Sequence, residues 1–179
     1  MTAAIKAGYR HIDTAQAYAN ESETGAGIRA SGVAREEIFV TSKIWVENYG
    51  YEAAKASLER SLARLDIGYI DLMLLHQPFN DVYGAWRALE EYQAAGKVRA
   101  IGLSNFTADR VLDVGLFNRV MPAVNQIEIN PFHQQGEQVK ALLAEGVVPQ
   151  AWGPFAEGKF GIFSNPVLSA IARKHGKSI

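Results

Sequence analysis

Six segments of this chain read as strands, most of them near-continuous apolar runs, each with a polar or aromatic residue at or near its C-terminal end: YRHIDTA (9–15), EIFVTSKIW (37–45), YIDLMLLH (69–76), VRAIGLS (98–104), AVNQIEI (123–129) and VVPQAW (147–152). Runs without strict alternation predict strands covered on both faces. Helical periodicity fills the intervals. In 51–65, Ala54, Leu58, Leu62 and Leu65 share one face, and Lys55 and Glu59 are expected to pair on the other. In 84–95, Trp86, Leu89 and Tyr92 recur before Gly96, which supplies a stop. Val139, Leu142 and Leu143 mark another helix, closed at Gly146, and Thr2 to Ala7 form an opening one, closed at Gly8.

At or just past the strand ends stand Asp13, Lys43, His76, Ser104, Gln126 and Trp152, at intervals of 30, 33, 28, 22 and 26 residues. That is the period of a strand, a helix and two short connections. Strict strand–helix alternation restricts the fold to the parallel α/β class. An open doubly wound sheet would carry a glycine-rich turn directly after a strand. Gly25-Ala26-Gly27 instead lies inside a helical pattern, so a (β/α)8 TIM barrel is favoured. The active-site mouth of a barrel lies at the C-terminal ends of its strands, where one polar position per strand converges. No linker or composition break interrupts residues 1–179, which read as a single domain. A complete barrel takes about 250 residues, so an incomplete barrel with about six of eight strands is expected, its two ends reading as cut.

Composition narrows the chemistry. The chain of 179 residues is 48% hydrophobic and 21% charged, with a formal net charge of −1, an ordinary globular profile with no basic footprint for nucleic acid or an anionic membrane. It has no cysteine, which removes disulfides, thiolate metal sites and cysteine nucleophiles together. The apolar stretch in YIDLMLL is broken by Asp71 and too short to cross a bilayer. No signal-peptide core follows Met1. A cytoplasmic monomer is expected.

Three constellations carry the chemistry. Asp13 ends the first strand in HIDTAQAY, with Tyr18 five residues on. Lys43 ends the second in TSKIW, and His76 ends the third in LLHQP. A carboxylate, a phenol, an ammonium and an imidazole thus surround one mouth. Each has a plainer role when taken alone: Asp13 as a turn residue or helix cap, Tyr18 as a half-buried aromatic, Lys43 as a snorkelling strand end, His76 as a core histidine. Four such groups at three successive strand ends are another matter.

These motifs, with GLSNF, NQIEINPFH and AWGPFAEGKF, resemble the aldo-keto reductases over the whole chain, most closely a bacterial branch that includes diketogluconate and methylglyoxal-type reductases. The resemblance implies a nicotinamide-dependent carbonyl reductase with Asp13, Tyr18, Lys43 and His76 as its catalytic tetrad. The chemistry suits it. Carbonyl reduction needs a hydride at carbon and a proton at the developing alkoxide. A free phenol, with a pKa of about 10, is a poor acid at neutral pH, and an adjacent ammonium stabilises its phenolate. Lys43 is that ammonium, Asp13 holds it, and His76 can donate to the carbonyl oxygen beside Tyr18.

The resemblance further implies that Ser104, Asn105 and Gln126 engage the nicotinamide carboxamide, although Ser104-Asn105 could equally cap the helix that starts near Thr107. It implies that Trp152 stacks on the nicotinamide ring, and that Gly153 and Phe155, with Gly158 and Lys159 beyond, belong to the loop over the cofactor pyrophosphate. Trp45 is expected to line the substrate pocket beside His76. NADPH is the expected cofactor, with NADH as the alternative, and a small aldehyde or ketone the expected substrate. The family's first strand, last strand and C-terminal loop have no counterpart among these residues. Two readings of other classes stand beside this one: a barrel that senses nicotinamide cofactor without turnover, and a metal-dependent hydrolase using His11, Asp13 and His76.

Overall fold

A computed structural model describes residues 1–179. The chain alternates helix and strand: α1 (Thr2–Lys6), β1 (His11–Asp13), α2 (Glu21–Arg29), β2 (Phe39–Ile44), α3 (Tyr51–Leu65), β3 (Ile70–Leu75), α4 (Val82–Ala94), β4 (Val98–Ser104), α5 (Ala108–Leu116), β5 (Val124–Glu128), α6 (Gly136–Ala144), β6 (Val148–Trp152) and α7 (Pro166–Lys174). All six strands pair in parallel, in the order β1-β2-β3-β4-β5-β6. Right-handed strand–helix–strand units laid side by side give this sequential order. The result is six strands of an α/β barrel wall, with β1 and β6 as its edges.

The strand register decides where side chains point. Asp13 lies opposite Thr41, Thr41 opposite Leu72, Lys43 opposite Leu74, and Leu74 opposite Gly102. Ser104 lies opposite Gln126 and Gln126 opposite Gln150. Residues in register on parallel strands face the same side, and side chains alternate sides along a strand. Asp13, Lys43, Ser104, Gln126, Gln150 and Trp152 therefore share the concave face. The opposite parity of β3, Met73 and Leu75, joins the core beneath the helices, with Leu58, Leu65, Trp86, Leu89 and Ile101. Gly102 makes the concave face possible at its centre. A Cβ there would stand 2.5 Å from the Val124 carbonyl oxygen and 2.8 Å from Leu74 Cδ2.

The helices follow their sequence patterns. Ala54, Leu58 and Leu65 of α3 are buried, with Leu62 partly so, and Trp86, Leu89 and Tyr92 of α4 are buried. α4 begins on Asp81, whose carboxylate accepts the Gly84 N–H at 2.9 Å. α3 and α2 meet closely at Gly25, where a Cβ would stand 1.9 Å from the Leu65 carbonyl oxygen. This glycine serves helix packing, not phosphate.

Two surface expectations need correction. Lys55 and Glu59 do not pair with each other: Lys55 Nζ lies 2.9 Å from Glu91 of α4, and Glu59 lies 2.8 Å from Lys97 Nζ. α4 offers Lys55 a partner in Glu91, and the turn that follows it offers Glu59 one in Lys97; these outcompete the i,i+4 contact. Leu143 is exposed, because α6 turns Leu142 alone fully inward.

Candidate active site

Lys43 lies at the centre of the concave face. Its side chain is 1% exposed, and a charge so far from water requires partners. The ammonium donates to Asp13 Oδ1 and to the Thr14 carbonyl at 3.0 Å. Asp13 is also held from its other oxygen, where Gln126 Nε2 donates to Oδ2 at 2.8 Å. The carboxylate is thus gripped across the concave face, from β2 and from β5.

Tyr18 arrives on a short 3₁₀ turn after β1, Gln16–Tyr18, capped by Ala19 in the left-handed region (φ 54°). A hydrogen bond from Thr14 Oγ1 to Asn20 Oδ1 (2.6 Å) closes the loop. The turn puts the Tyr18 ring 5.1 Å from Lys43 Nζ and edge-on to the His76 ring at 5.8 Å. Trp45 also packs edge-on to His76, at 5.2 Å. Asp13, Tyr18, Lys43, His76 and Trp45 therefore form one cluster around one mouth.

His76 follows β3 directly and is buried. Burial, reinforced by the neighbouring Lys43 ammonium and opposed by Asp13, lowers its pKa from 6.5 to about 4. The ring is neutral at physiological pH. Nδ1 is buried with no partner, so Nε2 is the nitrogen available to a ligand. Orphaned buried N–H groups are rarer than orphaned acceptors, which assigns the proton to Nε2, where it is a donor.

The remaining residues line the β4–β6 side. Ser104 is buried, and its hydroxyl accepts from Asn105 Nδ2 at 3.2 Å. Asn105, left-handed at φ 66°, also donates to the His76 carbonyl at 3.0 Å and accepts from Trp152 Nε1 at 2.8 Å. It ties the indole to the strand end that carries His76. The helix nearby has Thr107 at its N-cap position, without a side-chain capping bond, so neither Ser104 nor Asn105 stands where a cap would. Gln126 spends its NH2 group on Asp13 and on Gln150 Oε1 (2.9 Å), which leaves its own oxygen as an acceptor. Gly153 is left-handed at φ 60° with open space around its Cβ position, and Phe155 is exposed beside Phe163. Lys159 pairs with Glu157.

Reading the sequence alone misses Gln150, Gln16 and Thr14. Gln150 has the inward parity of Trp152, and Gln16 lies two residues before Tyr18, but neither occupies a position that the family resemblance marks, as Gln126 does. No group of three or more His, Cys, Asp or Glu side chains gathers in a way that could hold a metal ion. His11 bonds Thr41 Oγ1 through Nε2 at 2.9 Å and packs on Phe39. No helix is long and apolar enough to cross a membrane.

A family model described as the aldo/keto reductase family matches residues 1–178. The chain is 47% identical over 178 residues to a glyoxal reductase of Bacillus subtilis (strain 168), covering 99% of this chain and 64% of that protein. It is 45% identical over 177 residues to a 9,11-endoperoxide prostaglandin H2 reductase of Trypanosoma cruzi (strain CL Brener), covering 98% of this chain and 62% of the relative. Among solved structures, an aldo/keto reductase of Brucella melitensis superposes with a TM-score of 0.92 at 38% identity, over 99% of this chain and 68% of that one. A Bombyx mori aldo-keto reductase in complex with NADP gives 0.92 at 35% identity, over 99% and 65%. The chain thus spans 62% to 65% of the length of the first curated relatives it matches.

Proposed function

Since the chain belongs to the aldo/keto reductase family, we propose that the protein reduces small aldehydes and ketones to alcohols with NADPH, Tyr18 acting as the proton donor. The observation that carries this reading is the cluster itself: Tyr18 lies beside both the buried, carboxylate-paired ammonium of Lys43 and the neutral ring of His76.

The β4–β6 side fits a nicotinamide carboxamide. Such a group has an NH2 donor and a carbonyl acceptor. Gln126 retains an oxygen for the first, and the Ser104 hydroxyl retains its proton for the second. Trp152, its plane fixed through Asn105, offers a flat surface for the ring. The solved relative from Bombyx mori, in complex with NADP, supports the choice of NADPH. When bound, the reduced nicotinamide supplies the hydride for the carbonyl carbon.

The chain's own residues do the rest. As the hydride arrives, the carbonyl electron pair moves to oxygen. His76 Nε2–H donates to that oxygen and stabilises the charge forming there. Tyr18 transfers its phenolic proton to the same oxygen, completing the alcohol, and the phenolate left behind is stabilised by the Lys43 ammonium before water restores its proton. Asp13 holds the Lys43 ammonium in place. Being neutral, His76 donates without carrying the proton away as a competing acid.

The test is Tyr18→Phe in the complete gene product, with glyoxal as first substrate because a 47% identical relative bears the name glyoxal reductase. NADPH oxidation is expected to fall by about 10²–10⁴-fold, while NADPH still binds. Near-normal turnover in that variant would overturn the assignment. Tight NADPH binding by the unaltered protein, with no turnover across a broad carbonyl panel, would favour a cofactor sensor instead.

A further inference from the structure

Tyr18 is 50% exposed, so packing does little to fix a ring that must meet a substrate oxygen at hydrogen-bond range. Its position rests on the turn that carries it, and Gln16 is the first residue of that turn. The Gln16 amide is engaged at every polar atom. Oε1 accepts from the Trp45 N–H at 3.0 Å and from Asn48 Nδ2 at 2.9 Å. Nε2 donates to Ser61 Oγ at 3.0 Å and to the Ser57 carbonyl at 3.3 Å.

These four bonds join three elements: the loop after β1, which carries Tyr18; the loop after β2, which carries Trp45; and the middle of α3. They do so where packing cannot. Gln16, Trp45, Asn48, Ser57 and Ser61 are in the wall of a largely polar cavity of about 450 Å³. Across such a space the fixed links are hydrogen bonds, and an amide with all its donors and acceptors spent has one orientation. Nearby, Ser61 is itself anchored, donating to the buried Glu21 carboxylate at 3.2 Å. Glu21 also accepts from Ser42 of β2 at 2.7 Å. The far end of the link is therefore tied back to the strand that carries Lys43.

We infer that Gln16 is a positioning residue for the reaction: it sets the Tyr18 turn against Trp45 and His76, and so fixes the angle at which the phenol meets the carbonyl. The inference rests on the reductase reading. It predicts an effect on the chemical step that is separate from cofactor binding, because none of Gln16's partners belongs to β4, β5 or β6.

The experiment is Gln16→Leu in the complete gene product, assayed with saturating NADPH well below the melting temperature. A misplaced reacting group costs on the order of 10²-fold, so kcat is expected to fall about 10- to 100-fold, with the NADPH Kd unchanged. Ser61→Ala is expected to lower kcat as well, and the double variant to lose less than the product of the two, because both act through one link. A residue that only supports the fold would lower Tm and leave kcat alone. Wild-type kcat in a folded Gln16→Leu protein, or a matching loss of NADPH affinity, would overturn the inference. Should Gln16→Leu fail to fold, Asn48→Ala removes one donor from Oε1 and is expected to lower kcat severalfold, an unchanged kcat again overturning it. Tyr18→Phe run alongside separates the two levels. If that variant stays active, the reductase reading fails; if it is dead while Gln16→Leu is fully active, the role of Gln16 alone fails.

Discussion

Lys43 and Asp13 are unequal partners, since the lysine side chain is 1% exposed and the aspartate side chain 36%. Removing the carboxylate leaves a buried ammonium with only the Thr14 carbonyl, whereas removing the ammonium leaves a carboxylate that water and Gln126 still reach. Asp13→Asn is therefore expected to destabilise the fold by about 2 kcal/mol, the scale of a charged hydrogen bond. Lys43→Met is expected to fold nearly as well while turnover collapses. Urea unfolding of both variants beside NADPH oxidation checks this. His76 gives a pH prediction. The unfolded chain takes up a proton at this residue near 6.5, the folded chain only near 4, so the unfolded state binds the extra proton between those values. Stability held by the neutral ring is complete above 6.5 and is lost as pH falls toward 4. His76→Gln is expected to flatten the fall of Tm across that window. An unchanged slope would show that acid destabilisation comes from other groups.

At the level of elements, α2 and α3 are clamped by contacts that only a small residue and a long one can make. Gly25 lets the Leu65 backbone approach, and Arg29 caps the end of α3 by donating to the carbonyls of Leu65 (2.7 Å) and Asp66 (2.9 Å). A methyl at Gly25 meets backbone, which cannot step aside like a side chain. Gly25→Ala is expected to cost about 3 kcal/mol, the upper range for overpacking. Gly136→Ala, where nothing stands within 4 Å and φ is not positive, is expected to be neutral or to stabilise by about 0.5 kcal/mol. Calorimetry on the two variants distinguishes a packing glycine from a merely permissive one. The sequence pattern found α3 at its full extent because its apolar face, Ala54, Leu58, Leu62 and Leu65, repeats at helical spacing along it. It misjudged the surface of the same helix, since Glu91 and Lys97 approach from other elements and no local spacing encodes them.

At the scale of residues 1–179 taken together, the parallel sheet has β1 and β6 at its edges, which no strand among these residues pairs. Parallel strands need cover on both faces and a neighbour on both sides. β6 runs with Val148 at 56% exposure, and Phe155, Phe160 and Phe163 beyond it are all more than half exposed. The polypeptide of residues 1–179 on its own is expected to self-associate and to show no NADPH oxidation. Size-exclusion chromatography with light scattering tests this; a monodisperse monomer with a sharp reversible melt would refute it.

The sequence by itself determined the strand–helix order, the parallel class, and one chemistry-bearing residue at the end of each strand. Those are properties of local pattern: apolar runs, helical periodicity and polar terminators are written in neighbouring residues. Only the tertiary structure decided that Asp13 is held from both β2 and β5, that Asn105 spends its amide on His76 and Trp152, and that Gln16 links three elements. Hydrogen bonds between residues tens of positions apart depend on where strands and loops meet in space, and a glutamine that joins two loops looks, in sequence, like any glutamine on a surface.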